Sequence, residues 1–242
     1  MEKLLWEIDS FRLTFFSRKE VVSQNIEQII KLLDEKFMIE PYKKNYDESS
    51  GREIYVIRCS DSKYLHVILY KNRLDFEFTD TSDEKLDIYK IRFAFEEFIS
   101  LMSMIFDKLN NLDIVRLGVG IETIYIADSL EKATYALKKY FNIIHVNDNE
   151  YDEISLKTSK KINFNNDIFN VFINDTLVGS SSKKIMVDDD GDFPEGKIID
   201  ACIIKIDVNT DAINKNKIIE FDCVLNKVVL LAKEKLVYKD SL

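Results

Sequence analysis

The order of elements that the chain specifies runs through once and then runs through again. Strand, helix, three strands and a long helix are read from Leu4 to about Leu109, and the same series from about Ile114 to Leu236. A repeated series of this kind restricts the fold to an α+β class. Two strand-helix-three-strand-helix units are expected to form a mainly antiparallel sheet with long helices packed on one face. The halves are set at residues 1–111 and 112–242, intimately joined as one globular unit. Joining them edge to edge removes two exposed strand edges.

The local signals behind this order are periodic. Phe11, Leu13 and Phe15 share one face of a first strand, with Arg12, Thr14 and Phe16 opposite. Ser17-Arg18-Lys19-Glu20 has the form of a capping box, so a helix is expected directly after it. Val22, Ile26, Ile29, Ile30, Leu33 and Phe37 recur at helical spacing, and Pro41 forbids continuation. Residues Tyr42–Arg52 form a polar loop on this reading. Strands follow at Glu53–Cys59, Tyr64–Tyr70 and Arg73–Thr79, the last two joined at Lys71-Asn72. Phe95, Phe98, Ile99, Met102, Ile105, Phe106 and Leu109 then mark the buried stripe of a long helix.

The second half opens with Val115, Leu117, Val119 and Ile121 alternating against Arg116, Gly118, Gly120 and Glu122. Asp128-Ser129-Leu130-Glu131 starts a helix that buries Leu130, Ala133, Leu137 and Phe141. Strands are expected at Glu153–Asn163, Ile168–Leu177 and Gly196–Val208, and a long final helix from about Lys217 to Tyr238.

Composition limits the chemistry. Net charge is −9 over 242 residues, with 34 basic side chains among 43 acidic ones. A general nucleic-acid-binding surface is therefore not expected. Six glycines and two histidines are few for a chain of this size, and phosphate-cradling loops and acid–base sites draw on those residues. No apolar run is long enough to span a bilayer, and the N-terminus lacks the pattern of a signal peptide. Cys59, Cys202 and Cys223 read as reduced thiols of a cytoplasmic protein.

No motif carries a reaction. The acidic run Asp188–Asp192 fails the EF-hand pattern, because Phe193 and Ile199 stand where glycine and glutamate are needed. His66 and His145 have no neighbours at metal-ligand spacing, so neither a metal nor a cofactor is expected. The candidate ligand- or partner-binding residues are Arg116, Gly118, Gly120 and Glu122, on one face of a strand, with Tyr42 and Tyr46 as aromatic anchors. Glycine in a strand marks a bulge or a close approach. The functional account is a groove wall; the plainer one is that long helices pack over the glycines. Arg58, Arg73 and Arg92 are further sources of positive potential.

Two segments carry a resemblance. Val115-Arg116-Leu117-Gly118-Val119-Gly120-Ile121-Glu122 is similar to a mid-chain strand, and Ile203-Ile204-Lys205-Ile206-Asp207-Val208, followed by Asn209-Thr210-Asp211, to a later D-x-D strand. Both occur in a sporadically distributed, uncharacterised family of bacterial proteins of about this size. Gly120 and Glu122 depart from that family's pattern. The resemblance implies a soluble bacterial protein in an accessory context such as phage defence, and it implies no catalytic residue. The expectation is a non-enzymatic binding or assembly protein that engages a protein partner or itself. The alternatives are a sensor of a small anionic, nucleotide-like ligand between sheet and helices, and an acidic mimic of nucleic acid.

Overall fold

The fold comes from a computed structural model. It describes residues 6–21, 23–37, 43–47, 51–59, 63–80, 86–87, 97–98, 100–101, 103–105, 109, 113–141, 154–164, 167–182, 198–210 and 227. In chain order the elements are β1 (Glu7–Ser17), α1 (Ser23–Phe37), β2 (Lys43–Asp47), β3 (Arg52–Arg58), β4 (Lys63–Tyr70), β5 (Arg73–Asp80) and β6 (Leu86–Asp87). Then follow β7 (Ile114–Ala127), α2 (Leu130–Phe141), β8 (Ile154–Phe164), β9 (Asp167–Ser182) and β10 (Ile198–Thr210).

All the described strands belong to one antiparallel sheet in the order β2-β3-β4-β5-β1-β7-β10-β9-β8, with β6 pairing β1 off that path. The two strands that open the halves, β1 and β7, lie side by side at the middle. Each meander folds back so that its last strand, β5 or β10, pairs the opening strand of its own half. The β1–β7 register runs from Glu7↔Ile124 to Ser17↔Ile114, with shifts between Ile8 and Ser10 and between Phe16 and Ser17. Such irregularities bend a long strand and sharpen its twist.

Alternation explains which face is dry. Phe11, Leu13 and Phe15 of β1 are buried, as are Leu74 and Phe76 of β5, Leu117, Val119 and Ile121 of β7, and Cys202, Ile204, Ile206 and Val208 of β10. They form one cluster with Ile26, Ile29, Ile30 and Leu33 of α1 and with Ala133, Ala136, Leu137 and Tyr140 of α2. Helix α1 lies against β3, and α2 against β7, β9 and β10, so each covers strands of its own half. The helical residues Phe98, Leu101 and Ile105 join the same cluster. Helix α2 begins where its sequence says: the Ser129 hydroxyl accepts from the Lys132 amide at 3.3 Å, as an N-cap does.

The expected architecture is corrected in its main term. Among the described residues the fold is mostly antiparallel sheet with few, short helices, not a sheet organised by long helices packed on a face. The sheet's share is raised by strands longer than their alternation. Alternation in the sequence spans eight residues from Val115, whereas β7 extends to Ala127; β9 likewise extends to Ser182, beyond the expected Leu177. Pairing with neighbours holds residues in a strand after their own alternation has lapsed. The two helices whose full range is described, α1 and α2, have 15 and 12 residues. The final helix, apart from helical Lys227, lies outside the described residues, as do Asp188–Asp192, Arg92, His145 and Cys223.

Two local expectations also change. Ser17 ends β1 and its hydroxyl accepts from the Lys19 amide at 3.1 Å, so the apparent capping box closes a turn and the helix starts later, at Ser23. The polar segment read as a loop contains β2, paired with β3 from Lys43↔Val56 to Asp47↔Arg52. A short, charged strand at the end of a sheet discourages further pairing there.

Candidate functional site

The face of the sheet turned away from α1 and α2 is polar, and register decides what meets there. Across the middle strands His66, Glu77, Arg12, Gly120 and Asp207 fall in one row. A second row is Ile68, Asp75, Thr14, Gly118 and Asn209, and a third is Tyr70, Arg73, Phe16 and Arg116. Five strands thus deliver acids, bases and aromatics to one surface. Their sequence separations reach 195 residues, between Arg12 and Asp207.

The two glycines of β7 make room for this layer. A Cβ on Gly118 would lie 2.2 Å from Asn209 Oδ1, and one on Gly120 would lie 3.2 Å from Arg12 Nη2. Side chains from β10 and β1, not helices, therefore occupy the space that these glycines leave. Arg12 lies over Gly120 and reaches Asp207 Oδ2 at 3.5 Å. The Asn209 amide donates to Asp207 Oδ1 at 2.8 Å, which anchors the asparagine above Gly118.

The charges are unequally satisfied. Arg73 donates through Nε to Asp75 Oδ1 at 2.8 Å and through Nη2 to Asp75 Oδ2, a two-pronged pair on a carboxylate only 2% exposed. Lys205 pairs Glu122 at 3.0 Å. Arg116 lies over the Phe16 ring at 5.2 Å, and Arg73 lies over the same ring at 5.6 Å. The Nε atoms of Arg12 and Arg116 are buried without an acceptor among the described residues. Burial lifts the Asp207 carboxyl above its ordinary range although Arg12, the Asn209 amide, Arg116 and Arg73 all pull it down. Burial likewise lifts Glu77, with Arg12 opposing and Asp75 and Glu122 assisting. Burial lowers His66 and favours its neutral form.

Arg116, Gly118, Gly120 and Glu122 thus share one face, and all four take part in the polar layer. Tyr46 lies at the far end of the sheet, on β2, with 63% of its surface exposed. Tyr42 is outside the described residues. Arg73, marked by the sequence as a source of positive potential, completes the layer with Arg12, Asp75, Asp207 and Asn209, which the sequence does not mark for binding. The signal for Arg12 was its polar place opposite Phe11 and Leu13; that for Asp207 required the strand order. Cys59 and Cys202 are desolvated thiols, pushed up to about 11 and about 12 respectively, which disfavours the thiolate form. Among the described residues no cluster of metal-ligating side chains occurs, and no helix is long and apolar enough to cross a membrane.

No protein-family model matches the chain, and no curated protein matches it by sequence.

Proposed function

We propose that the chain is a non-enzymatic binding or assembly protein of the bacterial cytoplasm, and that the polar face of its sheet recognises a protein partner or a second copy. The observation that supports this reading is the layer itself. Charged and aromatic side chains from β4, β5, β1, β7 and β10 stand in register on one surface. A rigid sheet holds such groups at fixed spacings, so complementarity in charge and shape gives specificity without a reactive group. The mixture of signs on this face fits a protein surface better than it fits the acidic mimic of nucleic acid, which needs one sign throughout.

Sedimentation velocity across a range of concentrations, together with affinity capture from the source cytoplasm, tests the reading. The wild type should self-associate or retain a defined protein, and Lys205→Glu, placed on the polar face, should weaken that association. A chain that stays monomeric and retains the same proteins with and without Lys205→Glu would contradict it.

An anionic ligand is a second reading, favoured by the grouping of Arg12, Arg73 and Arg116. Its place changes from the sequence expectation. Arg116 lies on the face away from α1 and α2, so such a ligand would meet that face and not a pocket beneath the helices.

A further inference from the structure

We propose that Arg116, with Arg73 across the Phe16 ring, seats a small oxyanion, a phosphate or carboxylate group. This deepens the anionic-ligand reading and rests on the polar face being a recognition surface.

Cross-strand register sets the geometry. Phe16 of β1 has Arg73 of β5 on one side and Arg116 of β7 on the other. Both guanidinium carbons lie over its ring, 5.6 and 5.2 Å from the centroid. Two like charges on one ring repel; Asp75 is held two-pronged by Arg73, and Asp207, which feels both charges, is paired with Arg12 and Asn209. Among the described residues Arg116 has no carboxylate partner within ion-pair range, and its Nε is buried without an acceptor.

A half-buried guanidinium in that state is costly. Removal from water weakens its hydration, and a buried donor left without an acceptor forfeits a hydrogen bond. The ring offsets part of this through its face alone. The N–H donors of a guanidinium lie in its own plane, as a fork. That fork matches two oxygens of one oxyanion, and the charge of Arg73 adds to the field there. Tyr70, 4.8 Å from the Arg73 guanidinium, backs that side of the arrangement and keeps the cation in place.

The test uses the full chain, with sodium phosphate and sodium acetate as probes against sodium chloride at matched ionic strength. Thermal unfolding and the side-chain Nε–H resonance of Arg116 are followed together. The wild type should show a saturable rise in Tm with one oxyanion that chloride does not give, and the Arg116 resonance should move with the same midpoint. Whichever of phosphate and acetate produces it identifies the group. Arg116→Gln should lose at least about ten-fold in apparent affinity, because the charged fork is gone. If Arg116→Gln does not fold, Arg116→Lys, which keeps the charge and loses the fork, should still bind more weakly than the wild type. Equal responses to phosphate, acetate and chloride, or an Arg116 resonance that does not move, would overturn the seat. Protein capture with no oxyanion response would sink the seat while leaving the assembly reading standing.

Discussion

Phe11→Ala should destabilise the protein by about 3–5 kcal/mol, the range for truncating a fully enclosed aromatic residue. Phe11 is 1% exposed and stands on β1, at the middle of the sheet. Its ring stacks on Phe78 at 5.8 Å and an interplanar angle of 11°, and tilts against Phe98 at 5.9 Å. Strands lie on both sides of it, β5 through Phe78 and β7 through Ile121, so neither neighbour is free to close the gap. The cavity should persist and add its own cost to the lost transfer energy. Urea denaturation measures this as a lower midpoint at unchanged slope. Tyr46→Ala, on an exposed position of β2, serves as the control and should shift stability by no more than about 0.5 kcal/mol. A loss below about 1 kcal/mol for Phe11→Ala would mean that β1 does not occupy the centre of the core.

Arg73→Met should cost about 3 kcal/mol, because it strands the Asp75 carboxylate in a site where that side chain is only 2% exposed. Methionine keeps an apolar stem but removes the guanidinium that lies over Phe16 and Tyr70, so the loss combines the stranded carboxylate with two weaker ring contacts. The double variant Arg73→Met/Asp75→Leu should recover most of the stability, since replacing a buried pair by apolar side chains is often neutral. Chemical denaturation of the wild type, both single variants and the double variant closes the cycle. Additive losses would show that the two residues do not act as a pair.

The two variants probe opposite faces of the same sheet, and the faces differ in how far the sequence discloses them. The dry face is written in local alternation. Phe11, Leu13 and Phe15, then Leu65, Val67 and Leu69, then Leu117, Val119 and Ile121, announce their burial two residues at a time. The hairpin at Lys71-Asn72 and the start of α2 at Ser129 are legible for the same reason: a few adjacent residues suffice to set them. Strand β2 is not legible. Lys43-Lys44-Asn45-Tyr46-Asp47 has no β-branched residue, and its extended form comes from pairing with β3. The excess of sheet over helix was hidden similarly, because β7 continues through Ile124 to Ala127 under the influence of β10.

The polar face is only half legible. Period-two alternation places Arg116, Gly118, Gly120 and Glu122 on one surface. What covers the glycines depends on which strands lie alongside, and the neighbours turned out to be β1 and β10. Arg12 and Asp207 meet across β7, and nothing within either local segment predicts the other. The setting of Arg116, whose Nε has no acceptor among the described residues, likewise needs the full strand order, since Phe16 and Arg73 come from two other strands.

The fold and the candidate site both depend on β1 and β7 pairing at the centre of one sheet. Disulfide trapping of the variant Ser10→Cys/Glu122→Cys reads this pairing directly, because the two positions are register partners. Facing positions on neighbouring strands lie about 5 Å apart, within the span of a disulfide. Mild oxidation should cross-link this variant readily and leave Ser10→Cys/Arg116→Cys, on the same face but six residues along β7, unlinked. Cross-linking of the second variant, or equal failure of both in folded protein, would contradict the central β1–β7 pair.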